Sequence, residues 1–159
     1  MAVSIFARIG TIQGESQDAE HKDEIEVLSW SWGMSQSGTV AHGGGGGEGK
    51  ASFQDFNFTH YVDRASPVLM TACATDEHIK EATITVRKAG KDEQEYLVIA
   101  MTNVLVTSVS TSGSEGDTAM EAVALAFARV DLVYTPQKSD GSLDAGIHFT
   151  YDMRANREG

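Results

Sequence analysis

The sequence predicts a mainly β domain, an antiparallel barrel or sandwich of seven to nine strands with one short helix. Apolar and polar residues alternate with a period of two in most of the segments that carry apolar side chains. Sixteen glycines and only two prolines supply turns between those segments. A chain of 159 residues, 41% of them hydrophobic, is long enough to bury one core, so we expect a single domain over 1–159.

Charge and composition exclude several classes of protein. The formal net charge is −11, which disfavours binding to nucleic acids or to anionic membranes because both require clustered Lys and Arg. Cys73 is the only cysteine, so an intramolecular disulfide cannot form. The N-terminus has no pattern of a cleavable signal, and no apolar run reaches the roughly 20 residues of a membrane span. We therefore expect a protein made in the cytoplasm that needs no cleavable signal for export.

The N-terminal third predicts two strands. Residues 3–9 alternate, and the polar stretch 17–24 is typical of a solvated loop. Residues 25–33, IEVLSWSWG, give the clearest strand pattern in the chain.

Regular alternation through 25–33 would give this strand one indole face and one hydroxyl face. The indole face, which needs a core, would hold Trp30 and Trp32 together with Glu26 and Leu28. The other face would hold Ser29 and Ser31 together with Ile25 and Val27.

The middle of the chain predicts a long loop, a strand and a helix. Five consecutive glycines at 43–47 disfavour a fixed helix or strand because glycine loses the most backbone entropy on ordering. Residues 51–62 are rich in Phe, Thr, Tyr and Val, which favours a strand. Ser66 and Pro67 then suit the cap and the first position of a helix that ends near 74–77. Its apolar stripe would comprise Val68, Leu69, Ala72 and Cys73.

The remaining sequence predicts strands almost throughout. Residues 82–87 and 95–101 form a hairpin pattern, and 103–111 alternate again. Residues 119–134 admit two interpretations, since their alanines favour a helix while alternation favours a strand; we predict a strand. A last strand is expected at 147–153.

The chain matches catalytic, metal-binding and cofactor-binding motifs only in part. Residues 44–50 spell G-x-x-x-x-G-K, but Ala51 replaces the hydroxyl residue of a phosphate-binding loop and a strand pattern follows. Asp140, Ser142 and Asp144 have calcium-loop spacing, but Tyr151 stands where the bidentate Glu is expected. A polar turn between strands explains Asp140, Ser142 and Asp144 better than a calcium site does. We expect no enzyme activity, no metal and no cofactor, which leaves a binding or structural role.

Five stretches together cover most of the chain. They are GESQDAEHKDEIEVLSWSWGMSQSGT (14–39), HGGGGGEGKASFQDFNFTHYVDRASPVLMTAC (42–73), ITVRKAG (84–90), VLVTSVSTSGS (104–114) and YTPQKSDGS (134–142). In sequence and in order these stretches resemble the haemolysin-coregulated protein (Hcp) family, the tube-forming component of bacterial type VI secretion systems. The turn at 112–120 and the last segment match less closely.

The resemblance implies a small antiparallel β-barrel with one short flanking α-helix, similar to phage tail-tube proteins. Six copies would form a ring, and rings would stack into a tube that a contractile sheath expels together with a tip spike. Effector proteins would be carried in the lumen. The protein would be cytoplasmic when made and secreted when used.

The resemblance also assigns candidate site residues. The position of Ser31 belongs to the family's channel wall, and we extend this role to Ser29, although an ordinary contact between subunits would also explain both serines. The extended loop of the family would contact a neighbouring subunit or ring. Here it comprises Gly38, Thr39, His42, Gly43, Gly44, Gly45, Gly46, Gly47, Glu48, Gly49 and Lys50.

Two further hypotheses stand beside the tube subunit. The chain could be a dedicated effector adaptor that forms rings but rarely tubes. It could also be an enzyme, as are family members with a fused catalytic domain; the chain ends at Gly159, so we expect no such domain here.

Overall fold

The structure, a computed structural model, describes residues 3–38, 50–88 and 94–159. Ten strands and one helix follow each other in these residues. Their bounds are β1 Val3–Ile9, β2 Ile25–Glu26, β3 Ser29–Ser31, β4 Met34–Gln36, β5 Ala51–Phe53, β6 Phe56–Tyr61, α1 Ala65–Ala74, β7 His78–Lys88, β8 Glu95–Ser112, β9 Met120–Tyr134 and β10 Ile147–Asp152. The mainly β prediction is therefore confirmed.

Eight of the strands form one curled antiparallel sheet in the order β2-β1-β7-β8-β9-β6-β3, with β10 paired to the second half of β9. The segment 25–31 joins the two ends of this order, because β2 pairs with β1 while β3 pairs with β6. Between them Val27 N–H donates to Ile5 O and Leu28 N–H donates to Thr59 O. One short segment thus closes the sheet into a small barrel. β4 and β5 form a separate two-stranded sheet.

The core fills the interior of the curled sheet. Phe56, Leu69 and Leu125 are among its fully buried side chains. Leu69 comes from α1, so the helix closes the side of the barrel beside β8. Among the described residues, no helix is long and apolar enough to cross a membrane.

The prediction of one uninterrupted strand over 25–33 was wrong. Ile25 and Val27 are buried, Leu28 is exposed, and Trp30 is half-buried, so the inward face changes between 27 and 30. The cause is the change of partner from β1 to β6, which interrupts the alternation. The prediction that Ser29 and Ser31 share a polar, accessible face was correct. Ile25 and Val27, which were predicted on that face, are buried instead.

The predicted start of the helix was also wrong. α1 begins at Ala65, and Ser66 lies inside it, where its hydroxyl accepts the N–H of Asp63 at 3.1 Å. The N-cap residue is Arg64, which forms no side-chain capping hydrogen bond, and Asp63 Oδ1 accepts the N–H of Ala65 at 2.8 Å. The predicted stripe is correct for Leu69 and Ala72, whereas Val68 is 46% exposed and Cys73 is half-buried.

Strand boundaries differ from prediction at three further places. β7 begins at His78, four residues before the predicted segment 82–87. Residues 51–62 hold two strands separated at 54–55. The two segments predicted at 95–101 and 103–111 form one strand, β8, in which Asn103 has a φ of +55°. Asn tolerates this left-handed conformation, so the strand continues through the irregularity. Residues 120–134 form strand β9, as predicted.

The close approach of two backbone segments requires glycine at position 14. A Cβ there would lie 2.5 Å from Glu24 O and 2.8 Å from Ile25 Cα. Gly14→Ala should lower the free energy of unfolding by about 3 kcal/mol, measured by urea denaturation, because backbone atoms would have to move. Gly113→Ala is the matched control, since its Cβ would lie 3.9 Å from the nearest atom, Ala119 Cβ. Equal stability of the two variants would contradict the predicted clash.

Candidate functional site

Two rows of small uncharged side chains cross four neighbouring strands, β3, β6, β9 and β8, on one face of the sheet. The first row follows the register Ser29–Thr59–Ala122–Ser110, and the second follows Ser31–Asn57–Ala124–Ser108. Side chains that stand opposite each other in a ladder lie on the same face. Six of the eight residues are exposed, while Thr59 is half-buried and Ala124 is buried. We call these eight residues the neutral wall.

The opposite face of the same strands is apolar. Its central row is Trp30–Phe58–Val123–Val109, in which Phe58 and Val123 are buried and the outer two residues pack against the core. Trp30 stacks on Phe56 with ring centroids 5.7 Å apart. The bulky row therefore fixes which side of the sheet the small residues occupy.

The two serines predicted as site residues lie together at the edge of the neutral wall. Ser29 Oγ lies 2.6 Å from Thr59 Oγ1, a hydrogen bond that links β3 to β6 across the surface. Ser31 is exposed beside Asn57. This placement agrees with the predicted polar face of the Trp/Ser segment.

Six residues of the neutral wall were missed by sequence reasoning. Asn57 and Thr59 alternate with phenylalanine and histidine, and Ser108 and Ser110 alternate with valine, so the local signal was present. Their common face depends on the register of β8 and β9, which contains a shift between Val106 and Ser108. No local pattern gives such a register. The missed residues are Asn57, Thr59, Ser108, Ser110, Ala122 and Ala124.

The loop predicted for assembly is only partly described. Gly38 and Lys50, its two ends, lie at the open end of the β4–β5 sheet. Gly38 N–H donates to Gln36 Oε1 at 3.2 Å, and Lys50 N–H donates to Ser37 Oγ at 3.3 Å. The other predicted residues lie outside the described residues. They are Thr39, His42, Gly43, Gly44, Gly45, Gly46, Gly47, Glu48 and Gly49.

A buried ion pair joins β6 to β9 beside the core. His60 Nε2 donates to Glu121 Oε1 at 2.9 Å, and both side chains are inaccessible to solvent. Thr111 Oγ1 donates to Glu121 Oε2 at 3.2 Å. Within the described residues His60 Nδ1 has no hydrogen-bond partner, and Asp63 Oδ2 lies 3.7 Å from it.

The surroundings of His60 favour its charged form. Burial acts to lower the pKa of the imidazole, but the carboxylates of Asp63 and Glu121 outweigh it and raise the pKa above its usual 6.5. The protonated form of His60 is therefore favoured by its pairing with the Glu121 side chain, which compensates the cost of burying the charged imidazole.

A second cluster holds the loop 16–24 against β1, β7 and β8. Arg87 forms a two-pronged pair with Asp18, and its guanidinium lies 5.0 Å from the centre of the Phe6 ring. His21 stacks on the same ring at 4.4 Å. His21 Nδ1 lies 2.9 Å from Glu24 Oε2, and Nε2 lies 2.6 Å from Glu95 Oε1.

The pairing shifts the titration of both ends of this cluster. The hydrogen bonds from Arg87 hold the pKa of the Asp18 carboxyl well below its usual range. Burial acts against the charged form of His21, but its hydrogen bonds to Glu95 and Glu24 raise the pKa of the imidazole above 6.5. The cluster is therefore a set of ion pairs that anchors the loop.

The described residues contain one group with the composition of a metal site, Glu20, His21 and Glu95, whose nearest ligand atoms lie within 4.8 Å of one another. Both ring nitrogens of His21 already contact carboxylates, so the group is explained by ion pairing. At the calcium-like spacing, Asp140 Oδ1 accepts hydrogen bonds from the N–H and hydroxyl of Ser142, as expected of a polar turn.

The fold and the neutral wall define a class: a small antiparallel β-barrel with a flanking helix and one exposed, uncharged sheet face. A family model described as "Type VI secretion system effector, Hcp" matches residues 6–134. The chain is 51% identical over 159 residues to Protein hcp1 of Pseudomonas aeruginosa, and the match covers 98% of each.

Solved structures agree with this match. The crystal structure of Hcp1 from Salmonella typhimurium is similar with a TM-score of 0.83 and 41% identity over the whole of both chains. A structure described as a type six secretion system protein matches 99% of this chain and all of its own at a TM-score of 0.93 and 26% identity. The chain belongs to the Hcp family of type VI secretion system proteins.

Removing one partner of the buried ion pair should give a pH-dependent loss of stability. Because the pKa of His60 is raised in the fold, the contribution of the pair is complete below pH 6.5 and is lost as the pH rises through the raised value. Glu121→Gln should lower the free energy of unfolding by about 3 kcal/mol near pH 6, and by less at higher pH. Urea denaturation at several pH values measures both effects.

The control for this experiment is the exposed pair of His148 and Asp131, whose atoms Nδ1 and Oδ1 are 3.0 Å apart. His148→Gln should change stability by less than about 1 kcal/mol, since exposed pairs contribute little. A loss in Glu121→Gln that stays constant over the pH range would mean that His60 is neutral in the folded protein.

Proposed function

We propose that the protein is a structural subunit of the inner tube of a type VI secretion system. Six copies assemble into a ring, the rings stack, and the tube is expelled from the cell with effector proteins in its lumen. The observation that carries this proposal is the neutral wall, an exposed face of small uncharged side chains backed by a buried apolar row. Membership of the Hcp family supports it.

In this proposal the neutral wall lines the channel, and Ser31 and Ser29 contact effectors there. Small hydroxyl, amide and methyl groups suit a wet surface that must not bind its contents tightly. A large exposed apolar patch would adhere to a passing chain, whereas a strongly charged wall would repel or retain it. The hydrogen bond between the hydroxyls of Ser29 and Thr59 links β3 to β6 at the edge of the neutral wall.

The segment from Gly38 to Lys50 is the proposed contact between subunits or rings. Ordering it against a neighbour costs about 1–2 kcal/mol of backbone entropy per residue, so the contact must offset that cost. The two ends of this segment, Gly38 and Lys50, lie side by side at the end of the β4–β5 sheet.

The partners proposed for the assembled tube are further copies of the chain, effectors, the contractile sheath and the tip spike. The subunit is cytoplasmic when made and is secreted when the sheath contracts. An effector adaptor that forms rings but rarely tubes is the alternative within the same family. It differs in one measurable respect, the stacking of rings at high concentration.

The first experiment is the native mass of the purified protein by light scattering after size exclusion. Six chains of 17.0 kDa give an expected mass of about 102 kDa. A stable monomer at high concentration would overturn the proposal. Electron microscopy of the same sample distinguishes stacked tubes from single rings, and single rings alone would favour the adaptor.

A bulky side chain on the neutral wall should weaken effector binding without breaking the ring. Ser31→Trp is the test, because Ser31 is exposed and a large indole would cover the polar groups around it. Ser35→Trp, on the exposed strand β4, is the matched control. We expect at least a tenfold loss in co-purified effector for Ser31→Trp alone, at unchanged native mass. Unchanged effector recovery would remove Ser31 from the channel.

A further inference from the structure

A pocket of about 570 Å³ lies where the start of α1 meets the end of β1 and the start of β7. None of the residues that line this pocket belongs to the neutral wall. Its wall combines basic and apolar side chains with a stretch of exposed backbone. The residues that the argument uses are Gly10, Ile12, Arg64, Val68, Ile79 and Lys80.

Two cations in this pocket have no counter-ion within the described parts of the chain. The side chains of Arg64 and Lys80 are exposed and form no ion pair or hydrogen bond there. Glu77 is the one carboxylate that lines the pocket, and His78 lies beside it. On a chain with a net charge of −11, two exposed cations whose side chains form no ion pair among the described residues are suited to contact an acidic partner.

The floor of the pocket is apolar and held in shape by the backbone. Val68 of α1 is 46% exposed here, and Ile12 and Ile79 line the same space. Gly10 has a φ of +54°, and a Cβ on it would lie 2.9 Å from Ile79 Cγ2, so the close packing at the floor requires glycine. Glu15 Oε2 accepts the N–H of Arg64 at 2.8 Å and ties the adjoining loop to the helix start.

The turn between β8 and β9 has the complementary properties. Glu115 and Asp117 are exposed and form no ion pair among the described residues, and the segment 112–120 contains no Lys or Arg. Met120 and Tyr61, both exposed, lie beside the turn around a second pocket of about 410 Å³. We call residues 112–118 the acidic tip.

The acidic tip lies at the end of the ladder between β8 and β9. On one side β7 pairs with β8 only as far as His78 and Leu105, while on the other side β6 pairs with β9 up to Tyr61 and Met120. The turn residues 113–118 follow the last ladder pair, Ser112 and Met120, and all of them are exposed. The tip is therefore accessible to a neighbouring molecule.

We propose that the acidic tip of one copy docks into the pocket beside α1 of the next copy, with Glu115 and Asp117 facing Arg64 and Lys80. The inference deepens the proposed function, since it names the two surfaces that would join subunits in the ring. A ring of six requires a heterologous contact, in which two different patches of the same chain meet head to tail. The pocket and the tip are two such patches, with opposite charge and exposed apolar neighbours.

The test exchanges the charges of the two patches in separate variants. The pocket variant carries Arg64→Glu and Lys80→Glu, and the tip variant carries Glu115→Lys and Asp117→Lys. All four side chains are exposed, so both variants should fold, which circular dichroism checks. Each variant alone would place like charges across every contact and should raise the concentration needed for half-assembly at least tenfold.

Mixing the two variants gives the decisive result. In an alternating ring, an acidic pocket meets a basic tip at one contact and a basic pocket meets an acidic tip at the next. We therefore expect a mixture in equal amounts to recover the native mass of the ring, with both variants present in a ratio of one to one. Lys22→Glu with Lys138→Glu, which changes the net charge by the same amount as the pocket variant but at other exposed positions, should assemble as the wild-type protein does.

The failures of the two proposals are distinguishable. An unchanged protein that forms no ring overturns the proposed function. Rings that persist in both variants overturn the docking of the tip and leave the ring itself standing. If each variant fails to assemble and mixing does not restore the ring, the exchanged charges do not face each other across the contact. That result also overturns the inference.

Discussion

The register of four strands, β3, β6, β9 and β8, is the constraint on which the rest of the molecule depends. It places Trp30, Phe58 and Val123 in one row toward the core, and the neutral wall on the other side. A slip of one residue would exchange the two faces, because side chains alternate with a period of two. The aromatic row makes such a slip costly, since it would expose large apolar surfaces and bury hydroxyl and amide groups without partners.

The closure of the barrel depends on a single segment that serves two edges. Residues 25–31 pair first with β1 and then with β6, and the alternation is interrupted where the partner changes. The buried pair of His60 and Glu121 then fixes β6 against β9. The cluster around His21 and Arg87 fixes the preceding loop against the other edge of the sheet. Polar interactions thus reinforce the contact between β6 and β9 and hold the loop 16–24 on the sheet.

Local pattern was enough to predict that β1, β7 and β9 are strands, although β7 starts four residues before its predicted bound. It failed where tertiary structure decides the conformation. The break after Val27 follows from a change of neighbour, and the continuity of β8 follows from the tolerance of Asn103 for a left-handed backbone. Ser66 resembled a helix cap, but Asp63 occupies that place one turn earlier. Ser29 and Ser31 were found from their own strand, whereas the other six members of the neutral wall required the register of strands distant in sequence.

If the neutral wall lines a channel, as proposed above, its composition has a consequence for a polypeptide that moves along it. Its eight side chains are Ser, Thr, Asn and Ala, so none of them gains or loses a proton at any physiological pH. A chain that slides over these side chains has no ion pair with them to break and no deep apolar contact to leave. Each hydrogen bond to such a wall is replaceable by one to water, so its net free energy is small. A lining of this kind would favour the release of bound contents at every pH that the cell maintains.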